Sequence, residues 1–557
     1  MLPDEKISAV TTLMKETSPE QAWLWASRSL LSRADGFDLH RRVYDLCCSG
    51  DSIKGPLPAW RPVADEIGRA NATGAARQVG CGDFAEFQRW SVAHRARYWA
   101  LALERLGIVL DKPYSEMLDR SDPARPVWLS GARMNIVKSC FRGDPGACAI
   151  RYGDQDGNIT EFTYGELQRL VAWVANSLVA AGVKPGEAVA MLLPMTPTAI
   201  AIYLAIIAVG ASVVSIAESF AAPEIAARLR IASVTLVFTQ DALLRGGRSL
   251  PLYGKVIAAE APPAIVISSN AGEEPALGRA QDVSWTSFLG DVGEFEPVPC
   301  GPQDAINILF SSGTTGEPKA IPWDHTTPIK CAADAHFHHD VHAGDVLCWP
   351  TSLGWMMGPW LVFAALINRA TIAVSAASPV EAGFGKFVEE ACVTMLGVVP
   401  SLVRAWHSSG CMQPWDWSAV RAFSSTGECS SASEMLYLMY LAGYKPVIEY
   451  CGGTEIGGRT SPGASCSPAS RRRSPRRPWG WNSPASAPTT GRPIPARSFF
   501  AGRRSGFPRA SSTATMRPRI TRTRRLPPRE TDGAATATSW RSCRASVIAC
   551  WGAVMTR

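Results

Sequence analysis

Between residues 149 and 455, short apolar runs alternate with longer amphipathic stretches, and no other feature of the chain restricts its fold as much. Runs at 188–193, 211–216, 235–239, 256–258, 264–267, 306–310, 370–374, 393–399, 420–423 and 447–450 read as buried strands. Helical stretches separate most of them. The stretch 162–181 is opened by Thr163 with Glu166 three residues on, a capping box. Strands that alternate with helices imply an α/β fold, with a mainly parallel sheet covered on both faces. Ligands of such sheets bind in loops beyond the carboxyl ends of the strands. The apolar run 199–217 is long enough to be tested as a membrane span, but Gly210 divides it. The part before the glycine reads as a buried helix, 197–208, and the part after it as a buried strand, so no membrane span is expected.

The strand at 306–310 runs into Ser-Ser-Gly-Thr-Thr-Gly-Glu-Pro-Lys, which ends at Lys319. Glycines let the backbone approach a ligand closely. Hydroxyls and backbone N–H groups donate to phosphate oxygens, and a lysine adds a point charge. The spacing is not that of a Walker A loop, which needs four residues between its glycines before Lys-Ser/Thr. An ordinary polar turn is the alternative, and the length of the pattern disfavours it. Two later loops follow strands in the same way: Ser425-Thr426-Gly427-Glu428-Cys429 and Tyr450-Cys451-Gly452-Gly453-Thr454-Glu455.

In these stretches the chain resembles the AMP-forming acyl-CoA synthetases of the adenylate-forming enzymes. The continuation KAIPW, with TSLGWMMGP at 351–359 and EYCGGTE at 449–455, is most similar to the plant-type peroxisomal acyl-activating enzymes related to acetyl-CoA synthetase. The segment 126–140, PVWLSGARMNIVKSC, resembles the lead-in to the main domain of acetyl-CoA-synthetase-like enzymes. The resemblance runs from about the N-terminus to Gly458.

The resemblance implies an activity in which a carboxylate is joined to AMP from ATP, pyrophosphate leaves, and the acyl group passes to coenzyme A. It implies that Ser312, Gly313, Thr314, Thr315, Gly316 and Lys319 hold the outer phosphates. Gly427, Glu428 and Cys429 would lie along adenine, with Cys429 where the family commonly has proline. Thr454 would donate to the α-phosphate, and Glu455 would help hold Mg²⁺, a hard cation that keeps waters and shares phosphate oxygens. Trp355, Met356, Met357, Gly452 and Gly453 would line the acyl pocket. Acetyl-CoA synthetases close that pocket with a tryptophan at the position of Gly452, so a larger acid is expected here. Arg245 and Arg248 would meet the 3′-phosphate of coenzyme A, for which guanidinium geometry is suited.

Composition sets the domain plan. The 557 residues are enough for more than one domain. Residues 1–110, with helical spacing at 22–31 and 84–106, read as a helical N-terminal extension that caps the main domain. Residues 111–458 read as the large domain, with 111–148 as its lead-in. The net charge of +7 is unevenly spread: residues 459–557 hold 20 arginines and no lysine against Glu530 and Asp532, so they carry +18 and the rest −11. The first part is thus expected to be an acidic soluble body, and the Arg/Pro/Ser-rich tail to be largely disordered.

The tail begins directly after a family motif. It looks like a reading-frame shift, with a genuine basic interaction tail as the competing explanation. The family's small C-terminal domain supplies a lysine for adenylation, but the last lysine here is Lys445, so impaired turnover is expected. A nucleotide- or acyl-adenylate-binding pseudoenzyme is the alternative. Nucleic-acid binding is expected only if the tail is genuine.

Fifteen scattered cysteines without a CxxC pair argue for reduced thiols rather than a disulfide framework or zinc site. His336, His338, His339 and His342 are expected at a partly exposed helix end rather than around a metal. The N-terminus does not read as a secretory signal, and the final Met-Thr-Arg is not a Ser-Lys-Leu type signal, which leaves peroxisome or cytoplasm open.

Overall fold

A computed structural model describes residues 1–49, 57–122, 126–245, 248–270, 272–311, 317–461 and 469–470. Its frame is two seven-stranded sheets. Across the first, the strands run Val283–Ser284, Ala264–Ile267, Leu236–Gln240, Ala188–Leu192, Ser212–Ser215, Ala305–Ser311 and Lys319–Asp324. Across the second they run Val447–Glu449, Ala422–Ser425, Met395–Val398, Val346–Cys348, Thr371–Ser375, Cys148–Gly153 and Ile159–Thr163. Every neighbouring pair is parallel except one at an edge of each sheet. The expected parallel α/β architecture is present, divided between two sheets.

Helices fill the space between and around them. Tyr164–Ala180 starts as its sequence predicts: the Thr163 hydroxyl accepts from the Glu166 N–H, and the Glu166 carboxylate accepts from the Thr163 N–H at 2.8 Å. Pro197–Ala208 is buried at every position but Thr198, and Met357–Ile367 at every position. The two face each other through Tyr203 and Phe363, whose rings lie 5.9 Å apart edge to face. After Pro197–Ala208 the chain turns at Gly210, whose φ of +78° suits glycine, into strand Ser212–Ser215. Among the described residues no helix is long and apolar enough to cross a membrane.

One expected strand is a helix. Residues 256–258 end the helix Leu252–Ala258, whose buried Leu252, Tyr253 and Val256 form one face. Three apolar residues carry too little periodicity to separate the two states, and the helical spacing shows only when Leu252 and Tyr253 are included.

The N-terminal helices form two groups. Pro19–Trp25, continued as a π-turn over Ala26–Leu30, and Gly36–Cys48 pack on the helix Ala432–Leu441 and the turn after it. Trp23 meets Tyr44 at 4.8 Å and Tyr444 at 5.0 Å, both edge to face, and His40 Nδ1 lies 2.7 Å from Tyr444 Oη. The second group, Asn71–Gln78, Phe84–Ala93 and Arg95–Leu106, rests on helix Thr327–His338. The Asn71 side chain donates to Val341 O at 2.9 Å, and Phe337 meets Tyr98 at 5.7 Å. At the other end, order continues past Gly458. Gly458–Ser461 pairs antiparallel with Cys451–Gly453, and Ala469–Ser470 pairs with Pro58–Trp60. The rest of the expected disordered tail lies outside the described residues.

The lead-in segment is locked by a buried amide. Asn135 is wholly buried, and its Nδ2 donates to Ile207 O and Val298 O, each at 2.9 Å. The next N–H, of Ile136, donates to His325 Nδ1 at 3.1 Å. Burial pushes the His325 imidazole down to about 3, so it is neutral in the folded protein. Unfolding frees it to take a proton below its ordinary value near 6.5, so its contribution to stability is lost as pH falls from there toward 3. We expect the stability gap between the native chain and His325→Asn to narrow by about 2 kcal/mol between pH 7.5 and pH 5. Urea midpoints at the two pH values measure this, and a constant gap would contradict the assignment.

Candidate active site

The two strands around the Ser/Thr/Gly loop form an antiparallel hairpin in which Ser311 stands opposite Lys319. The loop's ends are therefore fixed neighbours at one edge of the first sheet. Ser312, Gly313, Thr314, Thr315 and Gly316 lie outside the described residues. Lys319 is half-buried, and its ammonium group makes no hydrogen bond or ion pair among the described residues. The return strand Lys319–Asp324 was not signalled by its sequence because Pro322 interrupts it. An edge strand tolerates the missing N–H.

The Thr-Glu motif meets this hairpin. Thr454–Ile456 is a single 3₁₀ turn, and the indole N–H of buried Trp323 donates to Thr454 O at 2.8 Å. Glu455 is exposed, and its carboxylate has no hydrogen-bond or ion-pair partner among the described residues. Gly457 ends the turn with a φ of +55°, and a Cβ there would stand 2.1 Å from Thr327 Cγ2, so only glycine fits.

The Gly-Glu-Cys loop lies beside the same segment. Tyr450 N donates to Ser425 O at 2.7 Å, and the Thr426 hydroxyl donates to Tyr450 O. Ser430 Oγ reaches Glu449 at 2.8 Å. Gly427 has a φ of +89°. The Glu428 carboxylate accepts from Ser401 N at 3.1 Å and Ser401 Oγ at 2.7 Å, at the start of helix Pro400–Ser409. Cys429 and Cys451 are exposed thiols on these two adjacent loops.

The acyl-pocket candidates sit on two elements that touch. Trp355 is 51 % exposed and its ring lies 5.9 Å from that of Phe220. Met356 is half-buried, and Met357 is buried as the first residue of helix Met357–Ile367. One turn later, Trp360 packs edge to face on Tyr450 at 5.5 Å, just before Gly452 and Gly453. Gly452 is exposed and Gly453 half-buried. Arg245 and Arg248 end and begin the two strands of a small hairpin, Leu243–Arg245 and Arg248–Leu250, and face each other in register. Their side chains lie outside what is described.

Of the four histidines, His336 and His342 are partly exposed as expected, whereas His338 and His339 depart from expectation. His338 and His339 are each only 1 % exposed, because helix Thr327–His338 is covered by Met357–Ile367 and by the N-terminal helices. His339 Nε2 lies 2.9 Å from Ser424 Oγ, and His336 lies 3.1 Å from the Asn368 side chain. Burial, aided by the Arg105 charge, pushes His336 down to about 4. His342 is raised through its contact with Asp340 at 3.2 Å. No group of three or more His, Cys, Asp or Glu suited to a metal occurs among the described residues. Sequence reasoning missed Lys330, Asp334 and Tyr450, whose polar atoms meet beneath the Thr-Glu turn. The available signal was the helical spacing of the Lys-Asp pair and the tyrosine opening the motif.

Gly354 holds the Trp355 loop against the end of strand Ser212–Ser215: a Cβ would stand 2.2 Å from the backbone nitrogen of Ala217. Backbone cannot give way as a side-chain tip can. Gly354→Ala should therefore cost about 1–3 kcal/mol, read from the urea midpoint, and an unchanged midpoint would show that the loop is not seated there.

Comparison with known proteins gives the family. Residues 138–499 match the AMP-binding enzyme family, and residues 84–140 match the acetyl-coenzyme A synthetase N-terminus. The first match extends past Gly458, where the sequence resemblance was expected to stop. The chain is 42% identical over 471 residues to a hexanoyl-CoA synthase of Cannabis sativa, covering 80% of this chain and 65% of that protein. It is 41% identical over 483 residues to probable acyl-activating enzyme 17, peroxisomal, of Arabidopsis thaliana, covering 82% and 66%. The chain thus spans just under two thirds of the length of these relatives. Acetoacetyl-CoA synthetase from Streptomyces lividans superposes with a TM-score of 0.71 at 26% identity, over 79% of this chain and 71% of that one. With the family match covering well over half of its residues, the chain belongs to the AMP-binding enzyme family.

Proposed function

We propose that this chain is an AMP-forming acid–thiol ligase, which activates a carboxylic acid with ATP through an acyl-adenylate and transfers it to coenzyme A. The observation that carries the reading is the docking of the Thr454–Ile456 turn on the hairpin that bears the Ser/Thr/Gly loop. The side chains of Lys319 and Glu455, of opposite charge, have no partner around it among the described residues. Lys319, with Ser312, Gly313, Thr314, Thr315 and Gly316, holds the outer phosphates. Thr454 donates to the α-phosphate. Gly427, Glu428 and Cys429 flank the adenine, with Glu428 fixed by Ser401.

Glu455 suits Mg²⁺. It is a single exposed carboxylate with no competing partner among the described residues, which leaves room for the waters and phosphate oxygens such an ion keeps. When bound, the ion draws charge from the departing pyrophosphate. Arg245 and Arg248, across their hairpin, take the 3′-phosphate of coenzyme A. For compartment, the Arabidopsis thaliana relative is named peroxisomal, which favours the peroxisome over the cytoplasm.

The acid is larger than acetate. Gly452 stands where acetate-specific enzymes have tryptophan, and the deformable Met356 and Met357 lie on the adjoining element. The relative named hexanoyl-CoA synthase supports a fatty acid of intermediate length.

Calorimetry tests the nucleotide site. ATP with Mg²⁺ should bind, and Lys319→Ala should weaken ATP about tenfold or more while leaving AMP nearly unchanged, because a charged contact to outer phosphates is lost. Absence of nucleotide binding by the native chain would overturn the reading. Turnover of this chain is expected to be impaired, so acid-dependent pyrophosphate release with coenzyme A, in a form whose C-terminal domain is restored, tests the pocket. Gly452→Trp should shift preference toward acetate in a graded way, since each methylene excluded is worth about 1–3 kcal/mol. Identical chain-length profiles in the two forms would remove Gly452 from the pocket.

A further inference from the structure

Beneath the Thr454–Glu455 turn lies a buried ion pair. Lys330 and Asp334 stand one helical turn apart on helix Thr327–His338. Lys330 Nζ lies 2.5 Å from both Asp334 oxygens, and each residue is 3 % exposed. Such a pair does little for stability, because the cost of desolvating two charges offsets their attraction and an apolar pair of similar volume often serves as well. What the pair supplies is direction.

Asp334 Oδ2 also accepts from Tyr450 Oη at 2.9 Å. Tyr450 opens the segment that carries Thr454 and Glu455, and its own ring is packed by Trp360 and His339. At the far end of the segment, Gly458 comes down on the same two charges. A Cβ there would lie 2.6 Å from Asp334 Oδ2 and 2.8 Å from Lys330 Nζ. The Cys331 thiol donates to Gly457 O at 3.2 Å, from the residue next to Lys330. One helical turn thus pins both ends of the segment, and Trp323 holds its middle.

We propose that Lys330, Asp334 and Tyr450 are positioning residues that fix Thr454 and Glu455 for the triphosphate and its Mg²⁺, an inference that rests on the ATP-binding reading above. No contact among the described residues fixes the Glu455 carboxylate, so its placement is inherited from the backbone of 450–458. Loosening that backbone should impair the use of Mg²⁺ with ATP. AMP, which lacks the outer phosphates, should be little affected.

The test is calorimetry on the full chain, with ATP titrated at several Mg²⁺ concentrations and AMP titrated alongside, together with urea midpoints. Tyr450→Phe removes one hydrogen bond to a charged group and leaves the ion pair intact. It should raise the Mg²⁺ concentration needed for half-maximal ATP affinity about tenfold, while the AMP dissociation constant stays within about twofold. The paired change Lys330→Met with Asp334→Asn removes both charges together and keeps an acceptor for Tyr450, so it avoids an orphaned buried charge. It should show the same shift or a larger one. Equal losses of ATP and AMP affinity in both variants, in step with a lowered urea midpoint, would reduce the network to a structural role and overturn the proposal. So would a Mg²⁺ dependence unchanged from the native chain. A native chain that binds no ATP overturns the ATP reading and the positioning role with it, whereas unchanged Mg²⁺ dependence in the variants overturns only the latter.

Discussion

Two helices without a polar face hold this molecule together. Pro197–Ala208 and Met357–Ile367 bury nearly every side chain they have, and they can do so only because each is covered on all sides by sheet or helix. The apolar cluster they belong to draws residues from both seven-stranded sheets. Burial on this scale is non-directional and sets no site by itself. Direction comes from the few polar groups placed inside it: Asn135 against two distant carbonyls, His325 against Ile136, and Lys330 with Asp334 against Tyr450.

The candidate site lies where the edges of the two sheets approach. The hairpin that includes Lys319 forms one edge of the first sheet, and Val447–Glu449, which leads into the Thr-Glu motif, forms one edge of the second. Trp323 joins them by one hydrogen bond to Thr454. The residues assigned to the outer phosphates therefore arrive from the first sheet, those assigned to adenine and the α-phosphate follow strands of the second, and neither sheet alone assembles the site.

Much of this was legible in the sequence, for identifiable reasons. The helix Pro197–Ala208 is marked by Pro197 at its start and Gly210 beyond its end, and both punctuate the chain through backbone sterics alone. The capping pair Thr163 and Glu166 is equally local. Signals that depend on tertiary surroundings were not legible. The strand Lys319–Asp324 contains a proline, and only its position at a sheet edge makes it possible. His338 and His339 look like part of a partly exposed helix end until helix Met357–Ile367 and the N-terminal helices, far away in sequence, are placed over them. The motif residues Lys319, Thr454 and Glu455 were readable as chemistry, whereas the buried pair that underlies two of them reads in the sequence as one more Lys-Asp spacing on a helix.

The packing of Trp23 on Tyr444 also governs how the chain can be made. Tyr444 is synthesised about 420 residues after Trp23. At ribosomal rates of roughly 5–20 residues per second, the side of Trp23 that Tyr444 covers waits on the order of tens of seconds for its partner. During that interval it presents unburied indole surface to the cell. Order of synthesis, and not only the stability of the finished fold, thus sets how long this face is open to the aggregation that unburied apolar surface invites.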